Sequence, residues 1–253
     1  MKKDKDIINA GTLTLFCNTN EAVLTLPVRG FILEFPGLGG GSCMGGIMDH
    51  AEYRGGYAEE MGKEGILVAY TFPGPWSWMN RGAVRYCELV AEAIREKYGL
   101  SEDTPWMVTG GSMGGLGALI FAADAKVKPT ACVAVCPCVD VPYCFETHGQ
   151  FRRAMFRAVA DYGGEIQEKL LTLSPKHRME DMPRIPYFLI NDCADELFPE
   201  GQMDEYVERM RAMGHTVDYD RLEGCHHGEI TPEAWMHILA FFRKHLKTLQ
   251  ELP

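Results

Sequence analysis

Apolar residues recur along the chain in two alternating rhythms. Short, nearly continuous apolar runs with β-prone residues fall at Gly30–Phe35, Gly65–Tyr70, Trp106–Thr109, near 130–136 and at Tyr187–Ile190, and a more polar strand is expected near 216–222. Their length and flanking turn residues predict strands buried on both faces. Residues 11–28 predict one or two opening strands. Between the runs, apolar positions space themselves as on a helix. Asn80 predicts a cap for a helix carrying Val84, Cys87, Val90, Ala91, Ile94 and Tyr98, with Gly99 as its stop. A second helix follows at 115–123. A third, near 201–213, carries a Met203, Tyr206, Val207, Met210, Met213 stripe that reads as core. Thr231-Pro232 opens a last amphipathic helix with Trp235, Ile238, Leu239, Phe242 and Leu246 on one face. Strands alternating with helices imply an α/β chain with a mostly parallel central sheet and helices on both faces.

About fifty residues separate the strands near 136 and 187, far more than an ordinary connection. Residues 150–162 place Phe151, Met155, Val159 and Tyr162 on one side of a predicted helix. The stretch at about 140–180 is therefore expected to be a small helical lid inserted into a single domain spanning 1–253.

Composition narrows the partners. Net charge is −10, which disfavours nucleic acid and anionic membrane surfaces. No stretch approaches eighteen apolar residues, and the charged N-terminus is not followed by a signal-peptide core. Nine cysteines, mostly in apolar stretches and without a Cys-x-x-Cys pair, suggest reduced thiols of a cytoplasmic protein rather than a zinc site.

The chemistry concentrates at Gly110-Gly111-Ser112-Met113-Gly114. It reads G-x-S-x-G between a predicted strand and a predicted helix, and only Ser112 of the five serines has that setting. A serine on such a strand-to-helix turn is thrust outward, and the turn aims the Met113 amide at a developing oxyanion. A base and an orienting carboxylate should follow in the order acid, histidine. Asn191-Asp192-Cys193-Ala194-Asp195 follows one strand, and Glu223-Gly224-Cys225-His226-His227-Gly228 follows the next. Asp192, Asp195 and the earlier Asp140 are candidate acids; His226 and His227 are candidate bases. The other Gly-rich run, Pro36 to Ser42, matches neither a dinucleotide nor a phosphate-loop pattern.

With these motifs in this order, the chain resembles α/β-hydrolase-fold serine hydrolases, especially the prolyl-oligopeptidase-like catalytic domain and its small esterase relatives. The acid loop of that group typically reads His-Gly-x-x-Asp-x-x-Val-Pro. Asp195, Phe198 and Pro199 match its second part, whereas Asn191 and Asp192 replace its His-Gly. The resemblance thus implies Asp195 as acid and, on the Glu-Gly-x-x-His-Gly register, His227 as base. It also implies a second oxyanion amide from Leu38, where Pro36-Gly37-Leu38 stands for the usual His-Gly-x, with Gly39 in reserve. Trp76 and Trp78, in a loop following a strand, are expected to wall the substrate pocket.

The expected function is a carboxylesterase-like serine hydrolase acting on small esters through an acyl-enzyme, with no metal or cofactor required. The alternatives are a peptidase or amidase with the same triad, and a non-catalytic binding protein on the same fold. The full-length oligopeptidases carry an additional N-terminal domain. Fewer than thirty residues precede the first long strand here, which leans toward the esterase.

Overall fold

A computed structural model describes residues 4–38 and 56–246. Among these, seven strands form one sheet: β1 (Cys17–Thr19), β2 (Gly30–Phe35), β3 (Ile66–Thr71), β4 (Trp106–Gly111), β5 (Ala131–Val135), β6 (Tyr187–Asp192) and β7 (Val217–Leu222). Their spatial order is β1-β3-β2-β4-β5-β6-β7. Only β1 runs antiparallel, pairing Cys17 with Thr71. The other neighbours are parallel, with Phe35 beside Gly110 and Gly111 beside Val135.

The helices are α1 (Ala58–Lys63), α2 (Arg81–Tyr98), α3 (Met113–Asp124), α4 (Val141–Thr147), α5 (Arg152–Ala158), α6 (Ile166–Leu171), α7 (Glu200–Ala212) and α8 (Pro232–His245), besides a single turn at Asp4–Ile7. The Asn80 side chain accepts from the Ala83 amide, and Gly99 closes α2 in left-handed conformation at φ 63°. Alternate strand residues feed two cores. Leu33, Phe35 and Val108 pack with Val90 and Ile94 of α2, Leu116 of α3 and Tyr206 and Met210 of α7. Ile32, Val68, Met107 and Val133 pack with Met61 of α1 and Ile238 and Phe242 of α8. The α7 stripe is thus core, as its spacing predicts. None of the described helices is long and apolar enough to cross a membrane.

The opening segment forms less strand than its composition suggests. The three residues of β1 are flanked by 3-10 turns at Leu13–Leu15 and Glu21–Val23. Just after β1, the Asn20 backbone amide donates to the Val68 carbonyl at 3.2 Å, and its side chain ties this end to neighbouring backbone. It donates to the Ala58 and Ile66 carbonyls at 2.7 and 3.1 Å and accepts from the Val68 amide at 2.9 Å.

The long connection between β5 and β6 folds into three short helices rather than one helix over 150–162. Asp140 caps α4 by accepting from the Tyr143 amide at 3.1 Å. Glu165 and Glu168 form a reciprocal capping box on α6. Buried Ser174 ties the two ends of the insert together: its hydroxyl donates to Val139 O and accepts from the Val141 amide, both at 3.2 Å.

Candidate active site

Strand β4 runs straight into α3 with a single residue between them. Two glycines permit that sharp junction. A Cβ on Gly114 would lie 2.1 Å from the Phe35 carbonyl oxygen, and one on Gly110 would lie 2.5 Å from Gly114 backbone. Ser112, between them, takes φ 56°, ψ −123°, a region costly for any residue with a side chain. Its amide donates to the Val135 carbonyl at 2.9 Å, pinning the turn to β5. That tie and the tight glycine junction hold the strained residue, and with it the hydroxyl, at the carboxyl edge of the sheet.

Three of the residues singled out in the sequence meet there. The Ser112 hydroxyl lies 2.8 Å from His227 Nε2, and His227 Nδ1 lies 2.7 Å from Asp195 Oδ2. A carboxylate can only accept, so the proton belongs on Nδ1 and Nε2 is left to receive from the serine. Asp195 is fully enclosed, whereas His227 keeps slight exposure. The other Asp195 oxygen accepts from the Leu197 and Phe198 amides at 2.7 and 3.0 Å. Burial presses the His227 imidazole toward neutrality, but the Asp195 hydrogen bond and adjoining Cys136 outweigh it and raise its pKa above the ordinary histidine value.

The rival residues are engaged elsewhere. Asp192 is buried, and its Oδ2 accepts from the Gly228 amide at 2.7 Å, bracing the histidine loop. Burial raises its pKa against that amide bond, and the Asp195 charge adds to the rise. Asp140 caps α4 and pairs with Lys176 at 3.3 Å. His226 faces solvent with a 67% exposed side chain, its ring 3.6 Å from Glu196. The acid and histidine loops are laced together by Cys193 N to Leu222 O and Ala194 N to Cys225 O.

Ser112 and His227 open onto a cavity of about 500 Å³ whose walls include Tyr57, Trp78, Phe151, Phe198 and Trp235. Met113, Gly37 and Leu38 also line it. Met113 begins α3, so its amide is one of the first-turn donors without a helical acceptor. Gly39 lies outside the described residues. The two tryptophans part company. Trp78, at φ 47°, turns inward and is 1% exposed, whereas Trp76 is 57% exposed and is not among the lining residues. Trp76 is therefore corrected to a surface position, because two residues along an irregular loop do not share a direction. Tyr57 and Cys136 line the cavity without standing out as site residues in sequence, whereas Glu34, a carboxylate out of place in an apolar strand, lines it too. Cys136 directly follows β5, and that placement at the carboxyl edge is the one signal that marks it.

Residues 79–249 match the prolyl oligopeptidase family. No curated protein matches the chain. Among solved structures, Pyrococcus horikoshii acylaminoacyl peptidase superposes with a TM-score of 0.70 at 14% identity, over 90% of this chain and 39% of that one. A puromycin hydrolase gives 0.66 at 19% identity, over 88% and 34%. Thermogutta terrifontis esterase 2 gives 0.61 at 14% identity, over 90% and 88%. The chain thus spans little more than a third of the first two, and all three similarities speak to the fold. The family match covers more than half of the sequence, and the sheet order and neighbours are those of the α/β-hydrolase fold: the chain belongs to the prolyl oligopeptidase family of serine hydrolases.

Proposed function

We propose that this serine hydrolase cleaves carboxylic esters of small substrates through an acyl-enzyme on Ser112. The observation that carries the reading is the hydrogen-bond chain from Ser112 through His227 to Asp195 at the edge of an apolar cavity. Ser112 Oγ attacks the ester carbonyl while His227 Nε2 takes its proton. The carbonyl oxygen becomes an oxyanion, held by the Met113 and Leu38 amides. His227 then gives its proton to the leaving alcohol, and water, activated by the same imidazole, releases the acid. Asp195 keeps the ring in the required tautomer and stabilises the transient imidazolium.

Aromatic walls with few polar groups suit an acyl chain better than a peptide backbone, whose buried amides would need partners. The helical insert forms a roof, with Phe151 over the cavity, and limits the length of the acyl group. One observation favours a second reading: Glu34 lines the same cavity, and a carboxylate there suits the ammonium group of an aminoacyl amide. Rates on p-nitrophenyl esters and on aminoacyl amides separate the two. Ester turnover exceeding amide turnover by more than the intrinsic reactivity ratio supports the esterase, and the opposite ranking supports the amidase. Failure to turn over either would favour a non-catalytic role.

A further inference from the structure

Three potential metal ligands converge beside the serine relay from adjacent parts of the sheet. Cys136 directly follows β5, Asp192 closes β6, and His227 sits on the loop after β7. The Cys136 Sγ, one Asp192 carboxylate oxygen and one His227 ring nitrogen all lie within 4.8 Å of one another. Cys136 is locked in place: its backbone is left-handed, at φ 37°, and its amide donates to the Ile190 carbonyl at 2.8 Å.

The second observation is an unsatisfied oxygen. Asp192 has no solvent exposure, and while its Oδ2 accepts from Gly228, its Oδ1 is buried without a hydrogen-bond partner. The Cys136 thiol beside this carboxylate is only a weak donor, and a cation satisfies a buried carboxylate better than a neutral group does. Thiolate, imidazole and carboxylate together form a donor set that suits zinc. Tetrahedral zinc with its usual bond lengths places its ligand atoms roughly 3.5 Å apart, so the three side chains need only small rotations to close on one ion.

We infer that Cys136, Asp192 and His227 bind a thiophilic divalent cation of the Zn²⁺ type, and that its binding stops hydrolysis. Cys136 loses its thiol proton to solvent on binding, Asp192 supplies a carboxylate oxygen, and His227 supplies a ring lone pair. Both ring nitrogens already have duties: Nε2 holds the Ser112 hydroxyl and Nδ1 holds Asp195. Whichever nitrogen the cation takes, one bond of the relay is lost. Cys136 and His227 both line the cavity, which supplies the entry path. Three protein ligands leave one position for water. Inhibition rests on His227 acting as the base proposed above; binding does not.

The test uses the full chain, wild type and the variants Cys136→Ala and Asp192→Asn. Isothermal titration calorimetry with Zn²⁺ reads binding, and ester hydrolysis in buffered free Zn²⁺ reads inhibition, each variant being compared with its own metal-free rate. One Zn²⁺ per chain is expected on the wild type, with hydrolysis restored by EDTA. Each variant should raise both the dissociation constant and the half-inhibitory concentration at least tenfold. Absence of a one-to-one binding phase, or Zn²⁺ responses unchanged in both variants, would overturn the site. Binding lost in the variants, with wild-type hydrolysis indifferent to Zn²⁺, would overturn the inhibition. Should no ester be turned over, calorimetry alone decides the site, so its fate stays separate from that of the esterase reading.

Discussion

His148 Nε2 donates to the carbonyl oxygen of Leu197 across 2.7 Å, joining the helical insert to the loop that carries Asp195. The same peptide unit is held from its other end, because the Phe198 amide donates to Asp195 Oδ1. His148 is therefore placed to position the proposed acid, because it holds the peptide plane whose N–H meets the Asp195 carboxylate. His148→Ala should lower kcat about tenfold with a smaller change in KM, and should cost about 1 kcal/mol of stability for the lost hydrogen bond. His148→Gln, which keeps an amide donor, should recover part of kcat. Steady-state kinetics with a thermal melt checks both, and a purely structural role would move the melt and leave kcat alone.

The pH profile follows from the state of His227. The proposed base works when neutral; burial opposes its protonation, but Asp195 and Cys136 outweigh burial and raise its pKa above the ordinary 6.5. The acid limb of kcat/KM should accordingly have its midpoint above 6.5, with activity falling as pH drops through it. Asp195→Asn removes a raising partner, so the midpoint should move down, while kcat falls by a factor on the order of 10⁴. His226→Ala should leave the midpoint in place, since that ring faces solvent.

Phe151 and Met155 lie one helical turn apart yet do different things. Phe151 lines the cavity, with its ring 6.3 Å from Trp78 and 5.8 Å from His148. Met155 is fully buried in the core beneath. Phe151→Ala should shift the preferred acyl length from short toward medium chains. Met155→Ala should leave the preference unchanged and cost about 2–5 kcal/mol, as core truncations do. Rates across an acetyl-to-octanoyl ester series, with chemical denaturation of both variants, distinguish the two.

How legible each feature is in sequence follows from what enforces it. The nucleophile turn is legible because steric need writes itself as glycine: Gly110 and Gly114 stand where β4, α3 and the Phe35 carbonyl leave no room for a Cβ. Asp195 is legible because it follows the strongly apolar β6, and His227 because the Glu-Gly-x-x-His-Gly register marks it after the more polar β7. Cys136 is not, since its nearness to His227 arises from the lateral order of β5, β6 and β7, which no local pattern encodes. The inserted helices were locally marked by Asp140 with Pro142 and by Glu165 with Glu168. Apolar periodicity alone merges such short helices into one, because each spans only two turns. Trp76 and Trp78 have identical chemistry, and only backbone dihedrals separate them.

Whether Ser112 is the nucleophile is read most plainly from the site of covalent modification by a fluorophosphonate probe, mapped by peptide mass spectrometry. One adduct is expected, on the peptide containing Ser112, formed at a rate that collapses when His227 is replaced by alanine. An adduct on any other residue, or a protein that hydrolyses esters while Ser112 stays unmodified, would contradict it.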